Sequence, residues 1–184
     1  YFGTEDAGIF SLTGLSVKEI FTELKLSEVP IKDIVCEPNG SLWIATMGKG
    51  LINIPFSSNN NLYQKPIIFD QSNGLNSQNI KKLLFDREQN IWIGTYGGGL
   101  ATFFENYFSF ILNDDKTNFS ITATHPDKNC VWAGTYGKLI KILSEQINLP
   151  IHFSEKNGIP NDKITSLYLD KDNLLWIGTD KKGI

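Results

Sequence analysis

The sequence predicts an all-β fold made of β-propeller blades, each with four antiparallel strands, in about four repeats of ~44 residues. Two observations lead to this prediction. A short aromatic motif recurs along the chain at a nearly constant spacing. Between its copies, segments rich in β-branched and aromatic residues are separated by Gly, Asn and Asp about every 8–12 residues, which is typical of strands joined by turns. A helical repeat of this length needs two helices per unit, and the density of Gly and Asn leaves no room for them.

The recurring motif is a tetrapeptide that begins with an aromatic residue and ends with Thr. Its five copies are Tyr1-Phe2-Gly3-Thr4, Trp43-Ile44-Ala45-Thr46, Trp92-Ile93-Gly94-Thr95, Trp132-Ala133-Gly134-Thr135 and Trp176-Ile177-Gly178-Thr179. Successive copies start 42, 49, 40 and 44 residues apart, and all 4 Trp residues of the chain occupy the first position. On the second strand of a blade, this Trp is expected to pack between adjacent blades. We assign a structural role to the repeated residues Trp43, Trp92, Trp132, Trp176, Gly94, Gly134, Gly178, Thr46, Thr95, Thr135 and Thr179.

The residues around the motif supply the remaining strands. For the copy that contains Trp92, the predicted strands lie at roughly 80–86, 91–95, 100–105 and 107–112. An acid stands six residues before the Trp in three copies: Glu37, Asp86 and Asp170. These acids fall in the turn between the first and second strands, where a carboxylate caps backbone N–H groups.

One segment favours a different structure. Val17, Ile20, Phe21 and Leu24 have helical spacing in a stretch of good helix formers. However, Ile20 and Phe21 occupy the repeat position that Ile151-His152-Phe153 occupies later in the chain. We therefore predict a strand here.

Composition and charge exclude several classes of function. The chain has 17 Lys+Arg against 20 Asp+Glu, so neither a nucleic-acid groove nor a polybasic membrane surface is expected. The 2 Cys are far apart in sequence, and so are the 2 His, which argues against a thiolate zinc site and against a His-based mechanism. No apolar run approaches the length of a membrane span, so this segment itself is expected to make no membrane contact. We expect no catalytic residue, no metal and no cofactor.

The repeat resembles a known family, the two-component regulator propeller. The resemblance rests on Asn90-Ile91-Trp92-Ile93-Gly94-Thr95-Tyr96-Gly97-Gly98-Gly99-Leu100, with Ile80, Leu83 and Asp86 before it. The segments Asn73-Gly74-Leu75-Asn76-Ser77 and Asn157-Gly158-Ile159-Pro160-Asn161 resemble the Gly-Leu-Pro-x-Asn lead-in of that repeat. The copy around Trp132 departs from the pattern, as does the first lead-in, where Lys25-Leu26 replaces Gly-Leu.

The resemblance implies a sensor. Such repeats are typical of the extracytoplasmic, periplasmic part of hybrid two-component sensor kinases, where seven-bladed propellers precede a membrane helix and kinase modules. On this basis the chain is expected to be a non-enzymatic segment, with histidine kinase activity elsewhere in the full-length chain. We expect a partial propeller, an open arc from a larger ring, with a partial blade at 1–29, blades at 30–72, 73–113 and 114–156, and a partial blade at 157–184.

A ligand face is predicted from strand order. In an up-and-down blade, the turn between the second and third strands lies at the same end as the connection to the next blade. Aromatic rings beside amides suit a carbohydrate, because a ring stacks on the sugar while amides pair with its hydroxyls. The candidates at this end are Tyr96, Tyr136, Lys49, Asn76 and Asn161. The partners implied are an oligosaccharide, the remaining blades of the same chain and a second copy in a homodimer, with no nucleic acid.

Two alternatives remain at this point. A propeller lyase or hydrolase needs a convergent set of His and carboxylate groups, whereas His125 and His152 are expected on different strands. A structural or dimerisation platform without a ligand site is equally compatible with the repeat, since Tyr, Asn and Gly are also ordinary turn residues.

Overall fold

The described strands form antiparallel sheets in the order that the repeat predicts. The computed structural model describes residues 1–104, 107–110, 120–144, 146 and 149–184. These residues fall into two compact units, Tyr1–Leu83 and Leu84–Ile184. The predicted boundary at 113/114 lies outside the described residues, and the other blade boundaries stay predictions.

The first unit contains two blade sheets and a small hairpin. The first blade has three strands, β1 (Phe2–Gly3), β2 (Ile9–Thr13) and β3 (Ser16–Ile20). The second blade has β4 (Ile31–Cys36), β5 (Leu42–Thr46), β6 (Leu51–Ile54) and β9 (Ile67–Phe69), in that order across the sheet. Between β6 and β9 the chain makes the separate hairpin β7 (Phe56–Ser57) and β8 (Leu62–Tyr63).

The third blade begins at the end of the first unit and continues in the second. Its sheet is β10 (Ile80–Phe85), β11 (Ile91–Thr95), β12 (Leu100–Phe104) and β13 (Tyr107–Phe110). The fourth blade follows as β14 (Ala123–Asp127), β15 (Cys130–Gly134), β16 (Leu139–Leu143) and β17 (Ile151–Phe153). The fifth has β18 (Ile164–Leu169) and β19 (Leu175–Thr179).

The predicted strands of the third blade are confirmed where the structure describes them. Strands β10 to β13 reproduce the predicted segments to within two residues, and residues 105–106 and 111–112 lie outside the described part. The motif strands β5 and β11 are buried along their whole length, so the recurring tetrapeptide lies in the interior of the second and third blades.

The strand predicted around Ile20 is correct only in part. Strand β3 ends at Ile20, and Phe21 then adopts a left-handed backbone with φ 57°. A short 3₁₀ turn, Thr22–Leu24, follows and buries Leu24. The prediction was wrong beyond Ile20, because the apolar side chain of Leu24 reaches the core from a turn instead of from a sheet. Two further 3₁₀ turns, Gln71–Asn73 and Glu155–Asn157, precede the third and fifth blades.

Apolar clusters join neighbouring blades within each unit. In the first unit, Ile9 of the first blade shares a buried cluster with Ile31, Leu42, Ile44, Ile52 and Ile54 of the second. In the second unit, Trp92 and Leu100 of the third blade pack with Val131, Ala133, Ile140 and Ile142 of the fourth. No helix in the described part of the chain is long and apolar enough to cross a membrane.

Candidate functional site

In every repeat, the Thr of the motif closes the turn that follows it. The hydroxyl of Thr95 donates to the carbonyl of Gly99 at 2.8 Å, and the backbone N–H of Thr95 donates to the same oxygen at 3.0 Å. The same two hydrogen bonds run from Thr4, Thr46 and Thr179 to the residue four positions later. The turn after Thr135 is one residue shorter, and there both groups reach Lys138. The Thr hydroxyl therefore fixes the shape of the turn at the predicted ligand face.

The same position also connects one blade to the next. The carbonyl of Thr4 accepts the N–H of Ile31 at 2.9 Å, and the carbonyl of Thr135 accepts the N–H of Ile164 at 3.0 Å. The residue before the Thr must be small, because a Cβ on Gly134 would lie 2.5 Å from Cγ2 of Ile164. Gly3 meets Ile31 in the same way. This part of the repeat is thus a structural joint.

The acids before the Trp hold the indole as well as the turn. The indole Nε1 of Trp92 donates to Asp86 at 2.9 Å, and that of Trp176 donates to Asp170 at 2.8 Å. The carboxylates of Asp86 and Asp170 also accept backbone N–H groups of their turns, as predicted, whereas that of Glu37 accepts the side-chain amide of Asn39. The indole of Trp176 and the N–H of Leu174 hold the pKa of Asp170 below its usual value. Trp43 donates to Glu37 in the second blade, so this pairing recurs in three blades.

The fourth blade departs from this arrangement. Pro126 takes the place of the acid, and Asp127, the residue after it, lies near the indole. The buried Nε1 of Trp132 therefore lacks a hydrogen-bond partner among the described residues. The Nζ of Lys141 lies over the ring of Trp132, 4.9 Å from the ring centroid. The repeat that departs from the sequence pattern therefore also lacks the hydrogen bond between the acid and the indole.

The turn after the second strand does meet the connection to the next blade, as predicted. In the first unit, the N–H groups of Gly48 and Gly50 donate to the carbonyl of Gln78 at 3.1 and 3.0 Å. In the second unit, Gly137 donates to the carbonyl of Asp162 at 2.7 Å, and Tyr136 forms a β-bridge with Lys163. Turn and lead-in are consequently one surface in each unit.

Asp162 organises this surface in the second unit. Its carboxylate accepts the N–H groups of Lys181 at 2.6 Å, Lys163 at 2.8 Å and Lys182 at 3.0 Å. Burial acts to raise the pKa of Asp162, but these backbone donors outweigh it and hold the pKa below the usual value. One carboxylate therefore ties the turn of the fifth blade to the lead-in that precedes it.

The five predicted ligand residues divide between the two units. Lys49 and Asn76 lie in the first unit, and the Nζ of Lys49 donates to the carbonyl of Leu24 at 2.6 Å. Tyr96, Tyr136 and Asn161 lie in the second unit, where the two tyrosine side chains are 54% and 66% exposed. Asn161 adjoins the turn of Tyr136, since its Oδ1 lies against Gly137. The structure thus brings Tyr136 and Asn161 together, while Lys49 is engaged by the protein itself.

The two histidines have separate environments. Nε2 of His125 accepts the N–H of Leu169 at 3.2 Å, and burial lowers the pKa of this imidazole against the opposing effect of Asp127. His152 lies on β17, where burial and then Lys138 lower its pKa. Within the described ranges, no group of three His, Cys, Asp or Glu side chains gathers as metal ligands would.

Sequence reasoning missed several of these roles. The fixed four-residue interval from Thr to Gly was the available signal for the turn, and the fixed six-residue interval from acid to Trp was the signal for the indole bond. By contrast, no repeat pattern marks Asp162, because the equivalent lead-in has Gln78 at that place.

Comparison with known proteins finds similar repeats and a similar fold. Residues 74–97 and 158–181 match the family model of the two component regulator propeller. The Histidine kinase P4 of Formosa agariphila is 28% identical over 168 residues, which is 85% of this chain and 12% of that protein.

Solved structures extend the likeness to almost the whole chain. A B. thetaiotaomicron chain described as the extracellular domain of a hybrid two component system matches 97% of this chain with a TM-score of 0.78 and 24% identity. PorZ, a bacterial surface component of the type-IX secretion system of Porphyromonas gingivalis, matches 98% with a TM-score of 0.72 and 16% identity. The chain covers 24% and 30% of those two chains. At these identities the likeness shows the fold, which is a β-propeller.

Proposed function

Because the chain carries repeats of the two-component regulator propeller family, we propose that it is a non-enzymatic, extracytoplasmic sensor segment of a hybrid two-component signalling protein. The proposal places the segment in the periplasm and a histidine kinase elsewhere in the same protein. It is supported by the similarity to a histidine kinase and to an extracellular two-component domain. Its partners in this proposal are the remaining propeller blades of the same chain and a second copy of the protein.

The ligand we propose is derived from a carbohydrate and binds at the turn surface of the second unit. The observation that carries this proposal is the contact of the turn at Tyr136 with the lead-in at Asn161. An exposed phenol ring offers an apolar face to a sugar, and the neighbouring amide offers a donor and an acceptor to its hydroxyl groups. The carboxylate of Asp162 accepts the N–H of Lys163, and its carbonyl accepts the N–H of Gly137 beside Tyr136, so the surface is organised before a ligand arrives.

A ligand at this surface can signal only through different affinities for two states of the protein. The turn and the lead-in belong to consecutive blades and are joined by backbone hydrogen bonds. A sugar that contacts both favours the state in which the two blades keep this spacing. In our proposal, that preference is transmitted to the kinase part of the protein.

The test is ligand-induced thermal stabilisation of the intact ectodomain with a panel of oligosaccharides. We expect the melting temperature to rise with the concentration of at least one of them, because a ligand that binds only the folded state stabilises it. Tyr136→Ala and Asn161→Ala should each reduce this rise. The matched control is Lys171→Ala, in the exposed turn between β18 and β19 at the opposite end of the blade.

Two outcomes contradict the proposal. A complete lack of response in the intact ectodomain favours a platform that has no ligand site. Chemical turnover of a glycan by the purified protein favours a propeller lyase or hydrolase instead.

A further inference from the structure

A cleft of about 470 Å³ lies beside the first blade, within the first unit. Ser11, Thr13 and Lys18 of the first blade line it, together with Phe21 and Tyr63. The volume falls within the range of about 300–1,000 Å³ that small-molecule sites occupy. The cleft shares no residue with the turn surface of the second unit, so it is a separate candidate site.

The strand side of the cleft is a row of polar side chains on one face of the β2–β3 hairpin. Ser11 and Lys18 are register partners across the two strands, so their side chains lie on the same face. Thr13 follows Ser11 by two residues and therefore lies on this face as well. The hydroxyl of Ser11 donates to the carbonyl of Lys18 at 3.4 Å. This face thus combines one ammonium group with two hydroxyl groups.

The positive charge of Lys18 is not neutralised on this face. Glu19 follows it, but successive side chains of a strand alternate, so the Glu19 side chain lies on the opposite face of β3. There its register partner is Phe10, whose ring stacks on that of Phe2, and its Oε1 lies 3.4 Å from the place of a Cβ on Gly8. Within the described residues, Lys18 takes part in no ion pair. The strand side of the cleft therefore favours an anion.

The aromatic side of the cleft is built where the extra hairpin meets the end of β3. The ring of Tyr63, on β8, packs edge-on against Phe21 and Phe56, with centroids 5.1 Å apart in both pairs. Its hydroxyl shares a 2.7 Å hydrogen bond with the hydroxyl of Tyr1. Burial first, and then this hydrogen bond, raise the pKa of Tyr63, so the phenol stays neutral. The aromatic side therefore offers apolar surface and adds no negative charge that would oppose an anion.

We propose that this cleft is a second binding site, and that it takes an organic acid whose carboxylate is carried by a sugar or an aromatic ring. The carboxylate pairs with the ammonium group of Lys18 and accepts hydrogen bonds from the hydroxyl groups of Ser11 and Thr13. The apolar part of the ligand contacts the aromatic side of the cleft. The site does not rest on the turn surface at Tyr136.

The test is isothermal titration of the protein with matched pairs of ligands at millimolar concentration. D-glucuronate is paired with D-glucose, and benzoate with benzyl alcohol, so that each pair differs at the carboxylate. We expect saturable binding of at least one acid and about tenfold weaker binding of its neutral partner, because hydrogen bonds to a charged group are the stronger ones. Binding of glucuronate identifies the ligand class as a uronic acid, and binding of benzoate identifies it as an aromatic acid.

Neighbouring residues on opposite faces of β3 provide matched variants. Lys18→Met removes the charge but keeps a long unbranched side chain, so it should weaken binding of the acid about tenfold. Lys18→Arg keeps the charge and should retain most of the binding. Glu19→Gln removes a charge from the opposite face and should not weaken it. Both positions are exposed, so these variants should fold like the unsubstituted protein.

Several results would overturn the proposal. It fails if neither acid binds, if the neutral partner or inorganic sulfate binds as tightly as the acid, or if Lys18→Met binds the acid like the unsubstituted protein. An equal loss in Glu19→Gln and Lys18→Met also overturns it, because the effect then does not depend on the face. Binding that disappears in Tyr136→Ala but survives in Lys18→Met assigns the acid to the turn surface instead.

Discussion

The four Trp side chains occupy one repeat position but have very different surroundings. Trp43 and Trp92 are 5% and 4% exposed, whereas Trp176 is 50% exposed. Trp92 packs against the fourth blade, as predicted for this position, and Trp132 packs against apolar residues of the fifth. Trp92 and Trp176 nevertheless make the same indole hydrogen bond to an acid six residues earlier. The chain thus contains its own comparison between a packed and an exposed copy of one residue.

This comparison gives a prediction for two matched substitutions. Trp92→Ala should lower the free energy of unfolding by about 3–5 kcal/mol, because it leaves a cavity between two blades. Trp176→Ala removes the same hydrogen bond from an exposed ring. It should lower the free energy of unfolding by well below half of the loss in Trp92→Ala. Chemical denaturation of both variants, with the unsubstituted protein as the reference, measures the difference. Equal losses would show that the indole hydrogen bond, and not burial between blades, determines the effect.

How far the sequence predicts the structure depends on repetition. The strands and the packing of Trp92 were predictable because the pattern recurs at fixed offsets, and each copy supports the assignment of the others. The left-handed backbone at Phe21 was not predictable, because the spacing of the neighbouring apolar residues fits a helix and no other copy of the repeat shares that spacing. At the candidate site, Tyr136 and Asn161 were predicted together, whereas the hydrogen bond from Lys49 to the carbonyl of Leu24 depends on a contact 25 residues away. Local pattern carries no information about such a contact.

At the scale of elements, the first strands of consecutive blades are joined by hydrogen bonds. In each case a side chain on one strand accepts a backbone N–H of the other. In the first unit, Asp33 on β4 accepts the N–H of Leu83 on β10 at 3.1 Å. In the second unit, Nε2 of His125 on β14 accepts the N–H of Leu169 on β18 at 3.2 Å. The carboxylate accepts through an oxygen, whereas the imidazole accepts at Nε2 only while that nitrogen carries no proton. The contact made by His125 is therefore the one that depends on the protonation of an imidazole.

This difference predicts acid sensitivity in the second unit. Burial lowers the pKa of His125 in the folded protein below its ordinary value of 6.5, so the folded state binds its proton less readily than the unfolded chain does. The stability that depends on the neutral imidazole is fully present above pH 6.5 and is lost as the pH falls towards the lowered folded pKa. We expect the melting temperature to decrease over this interval.

A substitution separates the contribution of His125 to this pH dependence from the contributions of other titrating groups. His125→Gln keeps an acceptor without a proton that titrates near neutral pH, so it should flatten the dependence of melting temperature on pH. The pKa of His152 is also lowered, and His152→Gln in parallel shows the share that this second imidazole contributes. An unchanged pH profile in His125→Gln would exclude His125 as the cause.

At the scale of the whole molecule, burial changes from strand to strand within a blade. The motif strands β5 and β11 are buried throughout, whereas β3 is almost entirely exposed and β17 is exposed at two of its three positions. Hydrogen bonds in the outer strands therefore open with less loss of apolar contact than those in the inner strands.

Native-state hydrogen exchange should show the same order. We expect the amides of β5 and β11 to be the most protected and those of β3 and β17 to exchange fastest, because local opening costs least where few apolar groups are buried. Exchange followed by mass spectrometry of peptides, or by NMR, resolves these strands. Uniform protection across a blade would indicate that each blade opens as one cooperative unit.

The small hairpin of β7 and β8 has an evolutionary consequence. It leaves the second blade after Ile54 and returns before Ile67, and the antiparallel pairing of β6 with β9 is intact on either side, with Asn53 opposite Ile67. The second blade thus accommodates extra residues between β6 and β9 without loss of the pairing that joins these two strands. Duplication can then copy the Thr and Gly joints faithfully while mutation and insertion diversify the periphery. A protein built this way can acquire new recognition surfaces while its scaffold stays the same.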